Sequence, residues 1–326
     1  MTLAFGGTRA ATVRSLAALG LAGCGARLQA VDWVSDVYGE PTGVRAALQA
    51  DLDVLADEAL EGRLPGSAGD AATRAHLVAE FAAVGLVPAG DAGAYEQPFV
   101  DADGRATANV LGLLVGSDPS VRDQLILVSA HHDHLGPGFP GASDDASGVT
   151  GLLHIAGELS RSPLRRSVLF AAFGSEESGF EGSEHLATHP TTVDAADIVY
   201  NVNLDMIGSL SVTGRVWALG AIEQTVGLDV VLEASAAWPE DVVRYGGASR
   251  LSDNVSFCTR GIPYVFFWTP DRACYHRACD TRDRIDIDGL IALSALSTDV
   301  VRALADADQD LRAGVAGGRD VCNGPR

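Results

Sequence analysis

Apolar and polar positions follow two different rhythms along the chain. From about residue 45 to 90 the apolar positions recur at helical spacing. Ala46, Leu48, Leu52, Leu55 and Leu60 come first, then Leu77, Val78 and Phe81 within a segment running from Ala71 to Val84. Between the two helices, Glu61-Gly62-Arg63-Leu64-Pro65-Gly66-Ser67 is turn material. Asp101-Ala102-Asp103-Gly104 reads as a hairpin turn leading into a strand over Ala108 to Val115. Beyond it the rhythm changes to short, bare apolar runs at 125–128, 168–171, 198–202 and 263–267. Such runs fit strands buried on both faces of a sheet. Helical patterns alternate with them at 147–159, 182–189, 224–238 and 287–304. That alternation predicts an α/β fold with a largely parallel sheet. There is no internal repeat and no Pro/Ser linker. A single domain over residues 45–310, with a helical lead-in, is therefore expected, followed by a C-terminal tail at 311–326.

Composition narrows the chemistry. The 326 residues carry 43 acidic and 23 basic side chains, for a formal charge of −20. A polyanion of this size repels phosphate backbones, so no nucleic-acid partner is expected. All the basic residues are Arg, which excludes a Schiff-base lysine and a phosphate-loop lysine. With 47% hydrophobic residues, the chain has ample material for a core.

The first 23 residues hold Arg9, Arg14 and no acid, then an apolar stretch from Leu16 that runs into Cys24. This is the form of a secretory signal peptide over residues 1–23. Leu21-Ala22-Gly23-Cys24 also resembles a bacterial lipobox, which would make Cys24 a lipidated residue, followed by a linker at 24–44. The apolar stretch is too short to cross a bilayer, so membrane attachment is expected only through that lipid. The protein is thus expected to be exported, either anchored or secreted. Four further cysteines, Cys258, Cys274, Cys279 and Cys322, form an even set that suggests disulfides. Cys274 and Cys279 could staple a tight loop. Cys258 with Cys322 is the leftover pairing, which sequence alone does not establish.

Ligands of open α/β sheets bind beyond the carboxyl ends of the strands, so the residues after each apolar run matter most. There the chain places His131-His132-Asp133-His134, Asp144-Asp145, Glu176-Glu177, Asp205 and His276. Imidazole and carboxylate without thiolate suit zinc at a catalytic site. Five such groups exceed the needs of one tetrahedral ion that keeps an open position, but suffice for two ions sharing a carboxylate. Adjacent Glu176 and Glu177 permit one carboxylate on metal and the other free as a general base. Asp133, two residues after His131, can accept the second imidazole N–H and fix its tautomer. His132 and His134 are not taken as ligands, since an extended backbone turns His132 away from His131. Asp145 reads as a cap for the following helix or a support for the metal ligands.

On these blocks the chain resembles the secreted bacterial leucine aminopeptidase and aminopeptidase Y family of two-zinc exopeptidases. The resemblance rests on Ser129-Ala130-His131-His132-Asp133-His134, on the stretch from Pro140 to Gly148, on Phe173-Gly174-Ser175-Glu176-Glu177, on Asn203-Leu204-Asp205-Met206-Ile207-Gly208, and on Cys274-Tyr275-His276-Arg277-Ala278-Cys279-Asp280-Thr281. It extends over residues 45 to 305. It departs at His132, where Tyr is more usual, and at Asn254, where His often follows Ser-Asp. The resemblance implies a three-layer α/β/α sandwich around a mostly parallel mixed sheet, of the zinc-exopeptidase (phosphorylase/hydrolase-like) type. It implies two zinc ions, with His131 and Asp205 on one, Glu177 and His276 on the other, and Asp144 bridging. Glu176 would be the general base and Tyr275 the donor to the oxyanion. It also implies a Cys274–Cys279 disulfide and peptide substrates with a free N-terminus. Rival expectations are a glutaminyl cyclase, a carboxypeptidase or dipeptidase on the same fold, and a lipid-anchored zinc-binding protein without turnover.

Overall fold

In the computed structural model, the described residues are 43–221, 225–239, 242–311 and Cys322. Among them nine strands build one mixed sheet: β1 Val87–Pro88, β2 Glu96–Val100, β3 Ala106–Leu114, β4 Leu125–His131, β5 Ser167–Phe173, β6 Ile198–Leu204, β7 Val216–Leu219, β8 Val243–Gly246 and β9 Tyr264–Trp268. Their order is β1-β3-β5-β4-β6-β9-β7-β8, with β2 also paired to β3. The central strands β5, β4, β6 and β9 run parallel, whereas β3 and β7 join them antiparallel. Every residue of β4, β5 and β6 is buried, which is why their sequences are bare apolar runs rather than alternations.

Among the described residues, seven α-helices of five residues or more flank the sheet: α1 Val44–Leu55, α2 Ala68–Ala83, α3 Ser147–Leu159, α4 Glu181–Thr188, α5 Leu228–Ala234, α6 Asn254–Cys258 and α7 Ile287–Asp306. Alternate strand residues point to opposite faces and so define the layers. Ile126, Val128 and Ala130 of β4, with Val168 and Phe170 of β5, pack against Leu52 of α1, Phe81 of α2, α3 and α7. Leu125, Leu127, Leu169 and Phe173 face the other way, toward Leu186 of α4 and Phe257 of α6. Burying each of these large side chains contributes about 1.5–3 kcal/mol. Side chains close the helix starts: Ser67 accepts from the Asp70 N–H on α2, and Asp286 from the Gly289 N–H on α7.

The parallel register puts His131 beside Phe173, Ser129 beside Asn203 and Leu204 beside Phe267, so these strands end at one edge of the sheet. The chain leaves β4 for β5 on one side, then crosses to β6 on the other. The resulting crevice at the carboxyl end of β4 is where an open α/β sheet offers a binding site.

Several elements differ from the sequence reading. Strands β7 and β8 were not expected, and α5 is shorter than the helical pattern over 224–238. Residues 1–42, with the expected signal peptide, Cys24 and most of the linker, lie outside the described residues. Two disulfides, Cys258–Cys322 and Cys274–Cys279, are present. No helix among the described residues is long and apolar enough to cross a membrane.

Candidate metal centre

Each chemically active side chain enters the crevice from the residue that ends a strand or from the loop after it. His131 is the last residue of β4, and Asp205 directly follows β6. Asp144 lies before α3, Glu176 and Glu177 follow β5, and His276 follows β9 in the loop closed by Cys274–Cys279. Three non-glycine residues here, Ser175 (φ 57°), Met206 (φ 56°) and His276 (φ 54°), adopt the left-handed region. Such backbone costs on the order of 1 kcal/mol or more per residue and persists only where its surroundings enforce it. Here each strained residue is, or adjoins, a residue of the cluster.

Asp144 occupies the middle. Its Oδ1 lies 3.2 Å from His131 Nε2 and its Oδ2 3.2 Å from His276 Nε2. On the first side Asp205 Oδ1 is 3.9 Å from His131 Nε2. On the second side Glu177 Oε2 is 3.0 Å from His276 Nε2. The ligand atoms of His131, Asp144 and Asp205 all fall within 4.8 Å of one another, and so do those of His134, Asp144 and Glu177. Asp144 Oδ2 is buried with no hydrogen-bond partner. A buried carboxylate oxygen without a donor, between nitrogen and oxygen atoms that all offer lone pairs, is the environment a divalent cation satisfies. The residues present therefore fit a metal on either side of Asp144.

The supporting contacts fix these groups. His131 Nδ1 lies 3.1 Å from the main-chain carbonyl of Asp133, which can only accept, so Nδ1 carries the proton and Nε2 is free. The Asp133 carboxylate, expected to support this imidazole, lies 3.7 Å from the same nitrogen. That carboxylate also accepts from the main-chain N–H groups of Glu176 (3.0 Å) and Glu177 (3.3 Å). Asp145 accepts from Gly148 N–H (2.8 Å), Met206 N–H (3.0 Å) and His131 N–H (3.3 Å), linking the start of α3, the loop after β6 and the end of β4. Gly148 must be glycine, because a Cβ would stand 2.4 Å from the Asp145 carboxylate.

Charge and burial act together in this cluster. Burial raises the Glu176 pKa well above the ordinary carboxylate range, and the negative charges of Asp205, Asp253 and Glu177 add to it against the pull of His131. Burial likewise pushes Asp205 up to about 7. His276 is raised to about 10 by the facing carboxylates of Asp144 and Glu177. The cluster holds protons strongly because it gathers more negative charge than its own imidazoles balance, and a bound cation would take their place.

Tyr275 is half-exposed and stacks on the His276 ring at 3.8 Å. A cavity of 360 Å³ opens from Asp144, Glu176, Asp205 and His276 and is walled by Met206, Leu251, Trp268, Pro270, Arg272 and Tyr275.

Four residues of this site are not apparent from the sequence. His134 Nδ1 lies 2.6 Å from Glu177 Oε1, so it serves the cluster rather than standing apart from it. Its spacing from His131, alike in type and close in sequence, was the available signal. Arg63, fully buried, donates to the main-chain carbonyls of Leu55, His132, Pro140 and Gly141 at 2.6 to 2.9 Å. Asp280 accepts from the Ser143 and Asp144 N–H groups at 2.8 and 3.0 Å, tying the Asp144 loop to the disulfide loop. Asp253 is buried, with its pKa pushed by burial to about 7, and contributes to the charge on Glu176. His132, by contrast, turns away, with Nε2 3.1 Å from the Ala108 carbonyl.

The chain is similar to several known proteins. Aminopeptidase YwaD of Bacillus subtilis is 33% identical over 105 residues, covering 32% of this chain and 23% of that protein. Aminopeptidase Y of Saccharomyces cerevisiae is 26% identical over 219 residues, covering 62% of this chain and 39% of its own. The chain thus spans well under half the length of either relative. In three dimensions it is similar to BSAP, a zinc aminopeptidase from Bacillus subtilis, with a TM-score of 0.67 and 16% identity over 85% of this chain and 98% of the other. That likeness shows the shared fold. The sequence profile of Peptidase family M28 matches residues 109–301, more than half of the chain. The chain belongs to peptidase family M28.

Proposed function

We propose that this protein is a metal-dependent aminopeptidase that removes residues from the free N-terminus of peptides with a pair of zinc ions. His131 and Asp205 hold one ion, Glu177 and His276 the other, and Asp144 lies between them. The observation that carries this reading is the position of Asp144, with one oxygen 3.2 Å from each of two imidazoles and an unassigned acid, Glu176, beside it at the cavity floor. When bound, zinc would polarise the scissile carbonyl and lower the pKa of water.

The chain's own residues do the remainder. Glu176 belongs to neither ligand group and takes a proton from water at a carboxylate oxygen, then returns it to the leaving amine nitrogen. Its burial among other acids raises its proton affinity, as suits a group that must hold that proton between the two steps. The Tyr275 hydroxyl on the cavity wall donates to the carbonyl oxygen as it gains negative charge. Glu176 and the buried Asp253 that acts on it are acids outside the ligand set, and their charge favours an N-terminal ammonium at the floor. Export, with or without a lipid on Cys24, is supported by the two disulfides.

The test is Glu176→Gln. Turnover of a peptide with a free N-terminus is expected to fall about 10²–10⁴-fold at unchanged zinc content. Near wild-type turnover at that content would contradict the assigned base.

A further inference from the structure

The cavity carries a guanidinium that the catalytic reading does not use. Arg272 is solvent-exposed and lines the same cavity as Asp144, Glu176, Asp205 and His276. Among the described residues it has no ion pair or hydrogen bond, although the chain carries a charge of −20. The neighbouring carboxylate, Asp271, is committed elsewhere. It is buried, pairs with Arg284, and accepts from the Ala273 N–H, while its carbonyl accepts from Cys274 and Tyr275. The segment bearing Arg272 is also held by the Cys274–Cys279 disulfide, so the unpaired guanidinium sits on a fixed support.

The lining has three chemical zones. Acids and metal ligands form the floor, Met206, Leu251, Trp268 and Pro270 form an apolar wall, and Arg272 supplies a cation beyond the metal ligands. A ligand that meets all three has an ammonium, a short apolar body and a carboxylate. We infer that Arg272 is a specificity residue that pairs with a carboxylate of the substrate. Two sources share that chemistry: an acidic side chain on the N-terminal residue, and the C-terminal carboxylate of a dipeptide. This inference rests on the aminopeptidase reading for its substrates but concerns a residue outside the catalytic machinery. Guanidinium binds carboxylate through a planar fork of donors, and the exposed setting limits the gain to a modest factor.

The experiment compares matched substrates on the zinc-loaded protein. One pair is Glu-Ala-Ala-amide and Gln-Ala-Ala-amide; the other is Leu-Ala with a free and with an amidated C-terminus. In one of the two pairs the wild type is expected to favour the charged member, and that pair names the source. Arg272→Gln should lower the preference roughly threefold to tenfold through KM, leaving the neutral member unchanged. Arg272→Lys should restore part of it, and added salt should weaken it in the wild type but not in Arg272→Gln. The inference is overturned if Arg272→Gln changes neither ratio, or if it slows charged and neutral substrates equally. Calorimetric titration of both proteins, each carrying Glu176→Gln to stop hydrolysis, with glutamate α-amide, glutamine α-amide and Leu-Ala reads the same contrast without turnover. Binding that depends on Arg272, with no cleavage of any peptide, would refute the aminopeptidase reading and retain this one.

Discussion

Glu177 shows how a single side chain is prepared for one task. Its Oε1 is engaged by His134 at 2.6 Å, which leaves Oε2 toward His276 and Asp144. A carboxylate held by one oxygen presents the other in a fixed direction, and partners of this kind typically contribute 10–100-fold to metal affinity. His134→Ala is therefore expected to weaken zinc binding by about 10–100-fold in competition with a chromophoric chelator. His134→Asn, which keeps a donor near Nδ1, should recover part of the loss. Equal affinities for all three proteins would mean that the contact does not orient Glu177. At this scale the sequence was informative about the acids and imidazoles that follow strands, because position after a strand end is readable. It was uninformative about Arg63 and Asp253. Arg63 acts on main-chain carbonyls of three distant segments, and main-chain acceptors leave no trace in residue identity. Asp253 matters through burial beside Glu176, which the order of residues does not encode.

Among elements, the central strands were legible and the edge was not. β4, β5 and β6 are buried on both faces and so read as unbroken apolar runs. β7 and β8 are four residues each and only partly buried; Val243–Gly246 contains Arg and Gly, so composition does not mark β8, whereas the apolar Val216–Leu219 of β7 is a run no longer than one helical turn. The loops between elements are held by a few contacts whose loss has calculable consequences. Arg63→Met would leave four main-chain carbonyls without their buried donor. The expected loss is about 3 kcal/mol or more, read by urea unfolding of the metal-free protein. The two disulfides should separate stability from metal binding. Cys258–Cys322 closes a separation of 64 residues and Cys274–Cys279 one of 5. The chain-entropy relation gives about 4 kcal/mol for the first and about 2 kcal/mol for the second. Replacing the first pair by Ser should lower the unfolding midpoint more, whereas replacing the second should release zinc more readily by freeing the His276 loop. The opposite ranking in zinc release would show that the short disulfide does not support the metal side of the site, and the opposite ranking of midpoints would contradict the chain-entropy relation.

For the molecule as a whole, the fold concentrates negative charge at one edge of its sheet. Buried Asp133, Asp144, Asp145, Glu176, Asp205 and Asp253 stand in a protein whose formal charge is already −20. Bound cations offset that repulsion in the folded state and have no such site in the unfolded chain. At zinc concentrations a thousandfold above the dissociation constant, the stabilisation is about 4 kcal/mol per site. Chelation is accordingly expected to lower the thermal midpoint, and zinc to restore it, with no comparable response in a protein carrying Asp144→Ala.

The most direct measurement is mass spectrometry of a peptide mixture incubated with the zinc-loaded protein and with a chelated control. The mixture holds free and acetylated N-termini and one peptide beginning with Gln. Stepwise loss of whole N-terminal residues, from free amines alone and only without chelator, is the predicted result. Shortening from the C-terminus, internal cleavage, or loss of ammonia from the Gln peptide with every other peptide intact would contradict it.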